Sequence, residues 1–458
     1  MIEPGQLQVS HQYTKASGNK IYIETYGCQM NFNDSEVVVA IMQKEGFAVT
    51  KDITEADLIL VNTCSIRDNA EQRVLGRLRE LRAIKRKKPA LKVGVIGCMA
   101  ERMKEQLLEK EKAVDLIAGP DAYRDLPVLV AKTGTGMRAA NVILSHEETY
   151  ADINPVRLDE NHVTAFISIM RGCENFCAYC VVPYTRGGER SRDPETIVNE
   201  ARNLFDAGYR EVTLLGQNVN SYLWKSSTGA NITFPKLIEL VALVDPKLRV
   251  RFATSHPKDL SDDLLRTMAR YKNICRNIHL PAQSGSNNIL QAMKRGYTRE
   301  WYLQRIAAIK HYMPECTIST DLIAGFCGET EQDHQQTLSL MREVGYDSAF
   351  MFKYSQRPGT YAADNLTDDV PEDVKSRRLT EIIDLQNTLS AENKKKDIGK
   401  TFEVLVEAVS KKSKNELYGR TSQNSVVVFP KMNFNPGDYV MVEITGCTQA
   451  TLKGKVVE

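Results

Sequence analysis

The chain has 458 residues, enough for about three domains at roughly 150 residues each, and its 60 Lys and Arg against 58 Asp and Glu leave a net charge of +2. That balance excludes a protein held to nucleic acid by bulk charge alone and leaves room for a local basic patch. Hydrophobic residues at 42% and charged residues at 26% exclude a disordered chain, and no apolar run, 37–42 included, nears the ~20 residues that cross a bilayer.

Residues 1–20 lack the apolar core of a secretory signal, so a cytoplasmic location is expected. The first 150 residues alternate strand and helix. Short β-rich runs at 21–25, 58–61 and 93–96 read as buried parallel strands, with helices from an Asn33-Asp34-Ser35 cap to Gly46, over 66–88 and over 100–112. This predicts a doubly wound α/β domain. Cys28, Cys64 and Cys98 each follow the carboxyl end of one of these strands, one strand–helix unit apart, where such sheets gather ligands.

Residues 140–162 are polar, contain Asn154-Pro155 and read as a linker. A second alternating series follows, with strands at 164–170, 212–215, 250–253, 278–280, 317–323 and 349–354 and helices at 194–206, 301–311 and 331–344. Six such units predict a partial (β/α)6 barrel with its chemistry at the strand carboxyl ends. Pro358-Gly359 and Pro371 break the pattern before a charged helix at 372–396. Beyond Thr401 the runs 402–407, 426–429 and 439–444, with a turn at Asn435-Pro-Gly-Asp438, predict a small β-barrel. The expected domains are therefore 1–140, 160–358, a helical connector at 359–397, and 398–458.

Ten cysteines in a long chain without a signal argue for metal or catalytic chemistry over disulfides. Cys173-Glu-Asn-Phe-Cys177-Ala-Tyr-Cys180 is a spacing that scattered cysteines produce only a few times in about a thousand chains of this length. Three thiolates so spaced can ligate three irons of a 4Fe–4S cluster and leave the fourth open, whereas electron-transfer clusters use four cysteines. The alternative, zinc, calls for a fourth Cys or His near by, and the loop has neither. For Cys28, Cys64 and Cys98 the alternative is three small buried residues at turns; their equivalent positions favour a second three-ligand cluster. Cys275, Cys316, Cys327 and Cys447 have no metal spacing and read as ordinary thiols.

The three-cysteine loop after the first barrel strand resembles the signature of radical S-adenosylmethionine enzymes. With the strand-end cysteines ahead of it and a β-barrel behind it, the whole chain resembles their methylthiotransferase family. The likeness extends to Thr25-Tyr-Gly-Cys28-Gln-Met-Asn31, Arg171-Gly-Cys173, Val181-Val-Pro-Tyr-Thr-Arg186-Gly, Leu215-Gly-Gln-Asn218, His279-Leu-Pro-Ala-Gln283-Ser-Gly-Ser286 and Thr320-Asp-Leu-Ile-Ala-Gly325. One departure is Cys327, where the family usually has Pro.

The resemblance implies a radical-generating 4Fe–4S cluster on Cys173, Cys177 and Cys180 whose open iron chelates S-adenosylmethionine. It implies an auxiliary 4Fe–4S cluster on Cys28, Cys64 and Cys98 that carries the sulfur to be inserted. Tyr179 is expected near the adenine of the cofactor, and Gln217 and Asn218 at its methionine amino group, with plain turn chemistry as their alternative; Ser255 and Gln283 are further strand-end candidates. The implied reaction puts a methylthio group on carbon 2 of a dimethylallylated adenosine beside the anticodon of tRNA, at the cost of two S-adenosylmethionine. A 5′-deoxyadenosyl radical removes the hydrogen. A loop nucleotide can be splayed into a barrel at modest cost, whereas a base in a duplex cannot reach.

The last domain resembles a TRAM module, with local basic patches at 411–420 and 453–455, while Arg82 and 85–88 form a second candidate or a solvated helix end. Expected partners are the tRNA anticodon stem-loop, a low-potential flavodoxin or ferredoxin type electron donor and a sulfur donor, with no membrane and a monomeric chain. The competing readings are a methylthiotransferase for threonylcarbamoyladenosine tRNA or a ribosomal-protein aspartate, and a non-catalytic RNA-binding iron–sulfur protein.

Overall fold

The computed structural model describes residues 18–65, 68–134, 136–159, 161–226, 229 and 231–457. Residues 66 and 67 of the second expected helix and the first 17 residues of the signal reading lie outside them. The chain forms two compact units: Met1–Glu160 with Met170–Glu174 and Cys180–Thr196, and Asn161–Ile169 with Asn175–Tyr179 and Ile197–Glu458.

The first unit is built on a six-stranded parallel sheet in the order Ala48–Val49, Lys20–Thr25, Leu58–Thr63, Lys92–Gly97, Leu116–Ala118, Ala139–Asn141. Leu58–Thr63 is buried at every position because helices cover both faces. Leu58 and Leu60 pack with Val38, Met42 and Leu126 on one face, and Ile59 and Val61 with Val74, Leu78 and Met99 on the other. The second strand in sequence lies outside the first, and later ones add on the opposite side. The order therefore reverses between Lys20–Thr25 and Leu58–Thr63, which opens a crevice at their carboxyl ends.

Three expectations need correction here. The first helix runs Gln29–Lys44 with Cys28 at its N-cap, so Asn33, Asp34 and Ser35 are not caps but buried interior residues. Tertiary partners overrode their capping preference: Ser35 Oγ pairs with Thr25 Oγ1 at 2.7 Å and accepts from Asn62 Nδ2 at 2.9 Å. The third helix is two, Cys98–Met103 and Glu105–Lys110, broken at Lys104 with φ 48°. The stretch 140–162 is no free linker, since Tyr150, Ile153 and Leu158 are buried in the core and Leu158 N donates to Glu36 Oε1 at 3.0 Å.

The second unit holds six parallel strands, Thr164–Ser168, Glu211–Leu215, Arg249–Ala253, Asn277–His279, Thr317–Ala324 and Ser348–Lys353, paired as two three-stranded halves. A Val250–Ile274 bridge and Cys275 N donating to Val250 O at 2.9 Å span the seam. This is the partial barrel. The helix Glu372–Lys395 packs on its last two strands and on the helix Glu331–Val344. A hairpin, Leu223–Lys225 with Asn231–Thr233, is an insertion the sequence pattern did not suggest.

Thr401–Val409, Glu416–Thr421, Val426–Pro430, Thr451–Val456 and Tyr439–Cys447 close into a five-stranded barrel around Val406, Leu417, Phe429 and Ile444. Its turn at 421–425 docks on the amino ends of the larger barrel's strands. Arg249 Nη1 donates to Arg420 O at 2.8 Å, Arg251 Nη2 to Thr421 O at 2.6 Å and Thr317 Oγ1 to Gln423 O at 2.8 Å. Arg251 also pairs with buried Glu211 at 2.8 Å. Burial beside this junction pushes the Cys275 thiol up to about 11, and burial pushes Cys316 up to about 12, which fits inert thiols.

Arg251→Ala leaves Glu211 a buried, unpaired carboxylate and removes the donors to Thr421 O and Ser422 O. The expected loss is about 3–5 kcal/mol in chemical denaturation, much of it recovered in Arg251→Met/Glu211→Leu, where neither charge is buried. An unchanged unfolding midpoint for Arg251→Ala would remove this ion pair from the account of the junction.

Candidate iron–sulfur centres

Cys28, Cys64 and Cys98 stand where the strand ends meet the crevice. Cys28 caps the helix Gln29–Lys44, Cys64 directly follows Leu58–Thr63, and Cys98 opens the helix Cys98–Met103. Two glycines bring these ends together. A Cβ on Gly27, at φ +129°, would lie 2.5 Å from Cys64 Cβ, and one on Gly97, at φ +89°, 2.5 Å from Asn62 Oδ1. Only glycine takes such backbone angles at so close an approach. Asn31 laces the site: its Oδ1 is 3.3 Å from Cys28 Sγ, and its Nδ2 donates to Thr63 O at 2.8 Å and Asn62 Oδ1 at 3.2 Å. Asn62 Nδ2 returns a bond to Asn31 O at 2.7 Å. Cys64 and Cys98 are buried and Cys28 is exposed, so the set opens on one side. The donors fit a metal–sulfur group, because thiolates are its ligands and the positive end of the Cys28 helix favours the anion.

Next to this set lies a buried ion group. Arg171 Nη1 and Arg186 Nη2 clasp the two oxygens of Asp34 at 2.8 and 2.7 Å. Arg190 and Arg171 approach Asp121 at 3.1 and 3.6 Å. Tyr123 OH lies 3.3 Å from Asp34 Oδ2, and Arg171 sits over the Tyr150 ring at 4.9 Å. Burial pushes the Asp34 carboxyl up, but Arg171 and Arg186 outweigh it and hold the group below its ordinary range. Burial pushes the Cys98 thiol up while the Arg186 charge opposes that shift.

The second cysteine set lies between the strand Met170–Arg171 and the helix Val182–Arg186. A Cβ on Gly172, at φ +80°, would lie 1.9 Å from Gly188 O, and Cys173 N donates to Gly187 O at 3.1 Å. Cys173 and Cys180 fall in the first compact unit, with Cys28, Cys64 and Cys98; Cys177 and Tyr179 fall in the second. There Ala178 N donates to Met293 O at 2.9 Å and Ala178 O accepts from Ala362 N at 2.7 Å, which pins the middle of the loop. Buried Arg295 donates through Nη1 to Cys177 Sγ at 3.2 Å and to Tyr179 OH at 3.3 Å. Three thiols on one loop, with no His among them, suit a cluster with an open iron better than zinc.

The other strand-end candidates are engaged to different degrees. Asn218 is buried with both amide atoms in use, Nδ2 to Asp259 Oδ2 at 2.7 Å and Oδ1 from His256 N at 3.1 Å, which is turn chemistry. Gln217 is half-buried. Ser255 Oγ is 3.3 Å from Asn220 Oδ1, and Gln283, at φ 68°, bridges to Leu322. Arg295 and His256 were not singled out from the sequence, and Asn31 only as part of a motif that carries the family resemblance. His256 Nδ1 accepts from Lys258 N at 3.3 Å, and burial together with Arg295 and Lys258 pushes the imidazole down to about 2, so it stays neutral.

A cluster of Glu331, His334 and Glu381 has metal-like spacing, but Arg377 pairs with both glutamates, so it is an ion-pair network between two helices. Of the basic run at 82–88, Lys85 pairs with Asp115 and Lys88 with Asp57, which favours a solvated helix end. On the small barrel Lys411, Lys412, Lys414 and Lys431 are exposed, whereas Arg420 is tied to Glu407 at 3.0 Å and Lys455 to Glu443 at 3.2 Å. Among the described residues no helix is long and apolar enough to cross a membrane.

Three family models match the chain: the uncharacterized protein family UPF0004 over residues 20–119, the radical SAM superfamily over 167–341 and the TRAM domain over 395–457. Solved structures share the fold. The radical S-adenosylmethionine methyltransferase TsrM from Kitasatospora setae is 15% identical, with a TM-score of 0.59 over 76% of this chain and 75% of its own. The cobalamin-dependent radical enzyme OxsB, 12% identical, gives 0.52 over 81% of this chain and 56% of its own. Proteins named tRNA-2-methylthio-N6-dimethylallyladenosine synthase are 59% identical in Parabacteroides distasonis and 58% in Bacteroides thetaiotaomicron, each over 97% of both chains. One from Porphyromonas gingivalis is 58% identical over 96% of this chain and 95% of its own. The chain belongs to the tRNA-2-methylthio-N6-dimethylallyladenosine synthase family.

Proposed function

We propose that this protein transfers a methylthio group to carbon 2 of N6-dimethylallyladenosine beside the anticodon of tRNA, using S-adenosylmethionine and two 4Fe–4S clusters. The observation that carries the reading is the pair of three-cysteine sets, each without a fourth cysteine, in a chain 58–59% identical to enzymes of that name. Cys173, Cys177 and Cys180 are assigned the cluster that works with S-adenosylmethionine, and Cys28, Cys64 and Cys98 the auxiliary one. When bound, the first supplies radical chemistry and the second the sulfur.

The chain's own side chains bind, orient and exclude water. Arg295, which stays charged in any protein setting, holds the Cys177 sulfur and the Tyr179 hydroxyl together, so Tyr179 is fixed for contact with the cofactor. Gln217, Ser255 and Gln283 are assigned to the cofactor's polar groups; Asn218 supports them by joining the Gln217 turn to the Ser255-His256 turn. The docking of the small barrel on the strand amino ends puts it opposite the carboxyl ends where Ser255 and Gln283 lie. Thr317–Ala324 alone is eight residues, about 26 Å of strand, so an RNA touching both ends extends well past one nucleotide. We assign 1–140 to sulfur delivery, 160–358 to radical generation, 359–397 to the connection and 398–458 to RNA. The reading brings with it a cytoplasmic monomer, a flavodoxin or ferredoxin type electron donor, and a donor that replaces the spent sulfur.

Anaerobic reconstitution is expected to give two 4Fe–4S clusters per chain, and Cys173→Ala/Cys177→Ala/Cys180→Ala one, with no cleavage of S-adenosylmethionine. One cluster in the unaltered chain, or zinc, contradicts the assignment. Cys28→Ala/Cys64→Ala/Cys98→Ala is expected to keep forming 5′-deoxyadenosine with dimethylallylated tRNA but to yield no 2-methylthio nucleoside; mass spectrometry of both species in one reaction decides. Lys411→Ala/Lys412→Ala/Lys414→Ala/Lys431→Ala is expected to weaken tRNA binding and to lower the salt slope by about one for each phosphate that is no longer neutralised. An unaltered slope would assign RNA binding to another surface.

A further inference from the structure

Among the described residues the ion group beside the N-terminal cysteines carries one more cation than anion: Arg171, Arg186 and Arg190 against Asp34 and Asp121, each side chain at most 5% exposed. Tyr123 and Tyr150, which line the same group, do not supply the missing anion, because burial pushes both phenols up and keeps them neutral. Arg186 occupies the end of the group toward the cysteines. Its helix, Val182–Arg186, packs on the helix Cys98–Met103, and its charge acts on both Cys98 and Cys28. Its Nη2 is committed to Asp34; among the described residues its buried Nη1 pairs with no oxygen or nitrogen, and Cys98 feels the guanidinium as a donor. An unbalanced buried guanidinium costs several kcal/mol unless an anion faces it. Neutral thiols do not provide one. A 4Fe–4S cluster on three thiolates does, because its net charge is negative.

We propose that Arg186, aligned by Asp34, is a positioning residue for the auxiliary cluster: its fixed charge balances the cluster anion and raises its reduction potential, with Nη1 as a donor to sulfur. This rests on the assignment of Cys28, Cys64 and Cys98 as cluster ligands. Hydrogen bonds and net charge around the sulfurs are among the levers that set such potentials. Reduction adds a negative charge, so a neighbouring cation favours the reduced state and Asp34, of opposite sign, disfavours it. Arg186 lies six residues after Cys180, so the stretch that supplies ligands to one centre also supplies the cation to the other.

The test uses the full-length Cys173→Ala/Cys177→Ala/Cys180→Ala chain, which isolates the auxiliary centre, with iron and sulfide assays and a redox titration followed by electron paramagnetic resonance. Arg186→Gln is expected to keep its iron and to shift the oxidised-to-reduced ratio at fixed potential at least tenfold toward the oxidised form, 59 mV for one electron. Arg186→Lys should stay within about threefold of the parent, and Asp34→Asn should shift the opposite way from Arg186→Gln. A ratio for Arg186→Gln within twofold of the parent, or the same sign of shift for Asp34→Asn, overturns the proposal. Loss of iron from Arg186→Gln but not from Arg186→Lys supports it as a requirement for charge; loss from both makes the role structural and overturns it. A parent chain without iron refutes instead the assignment of the three cysteines.

Discussion

The clasp of Arg171 and Arg186 on Asp34 is the interaction on which the architecture around the cysteines depends. Asp34 sits inside the first helix, 137 residues from Arg171 and 152 from Arg186. None of the three is more than 3% exposed, so removing any one strands a charge without water. This is why Met170–Glu174 and Cys180–Thr196 fold with the N-terminal sheet instead of with the strands that follow them. Bulk hydrophobic packing would not select this pairing so sharply, because apolar surface is not directional. Two guanidiniums, one on each oxygen of a single carboxylate, tolerate little sliding. The stability gained is modest, since desolvation opposes the attraction, and the larger effect is on specificity of arrangement.

The small barrel is fixed by a different device. Arg420 O accepts from Arg249, Thr421 O and Ser422 O of the turn accept from Arg251, and Tyr439 OH donates to Lys247 O at 2.9 Å. These contacts occupy the amino ends of the parallel strands, the face that in such barrels serves stability. The carboxyl ends remain for the loops that carry Gln217, Ser255 and Gln283. A module docked so firmly is held at a fixed place relative to the strand ends.

How much of this was legible in the sequence follows from the range of each interaction. Strands such as Glu211–Leu215 and Thr317–Ala324 were visible because β-branched and apolar residues run together between turn formers, and Glu331–Val344 because its cap and period are local. The two three-cysteine sets stand out by spacing and by their place at strand ends. The interior role of Asn33-Asp34-Ser35 does not, since three capping residues in a row look like a helix start until their distant partners are known. The packed stretch at 140–162 was hidden for the same reason: Tyr150, Ile153 and Leu158 have no period of their own and are ordered by the helix they cover. Arg171 and Arg186 stand in motifs that carry the family resemblance, yet nothing local distinguishes a buried arginine from an exposed one.

The same cause hides the arginine at the other centre from a sequence reading, and it points to a common design. Arg295 is 118 residues from Cys177, to which it donates at 3.2 Å, and Arg186 stands beside Cys98 and Cys28. Each three-cysteine set thus has one buried guanidinium at its edge. A lysine in such a dry place would lower its pKa and give up its proton, and the cation would vanish when the anionic group is absent. Arginine keeps its charge through loading, loss and reloading of a cluster. Its planar fork also holds a backbone or carboxylate anchor with one edge while another nitrogen faces sulfur, as Arg295 does with Pro281 O at 2.9 Å. A chain that must hold two 4Fe–4S clusters is therefore better served by fixed cations than by titratable ones. The charge that the clusters bring is met by one already present in the folded protein.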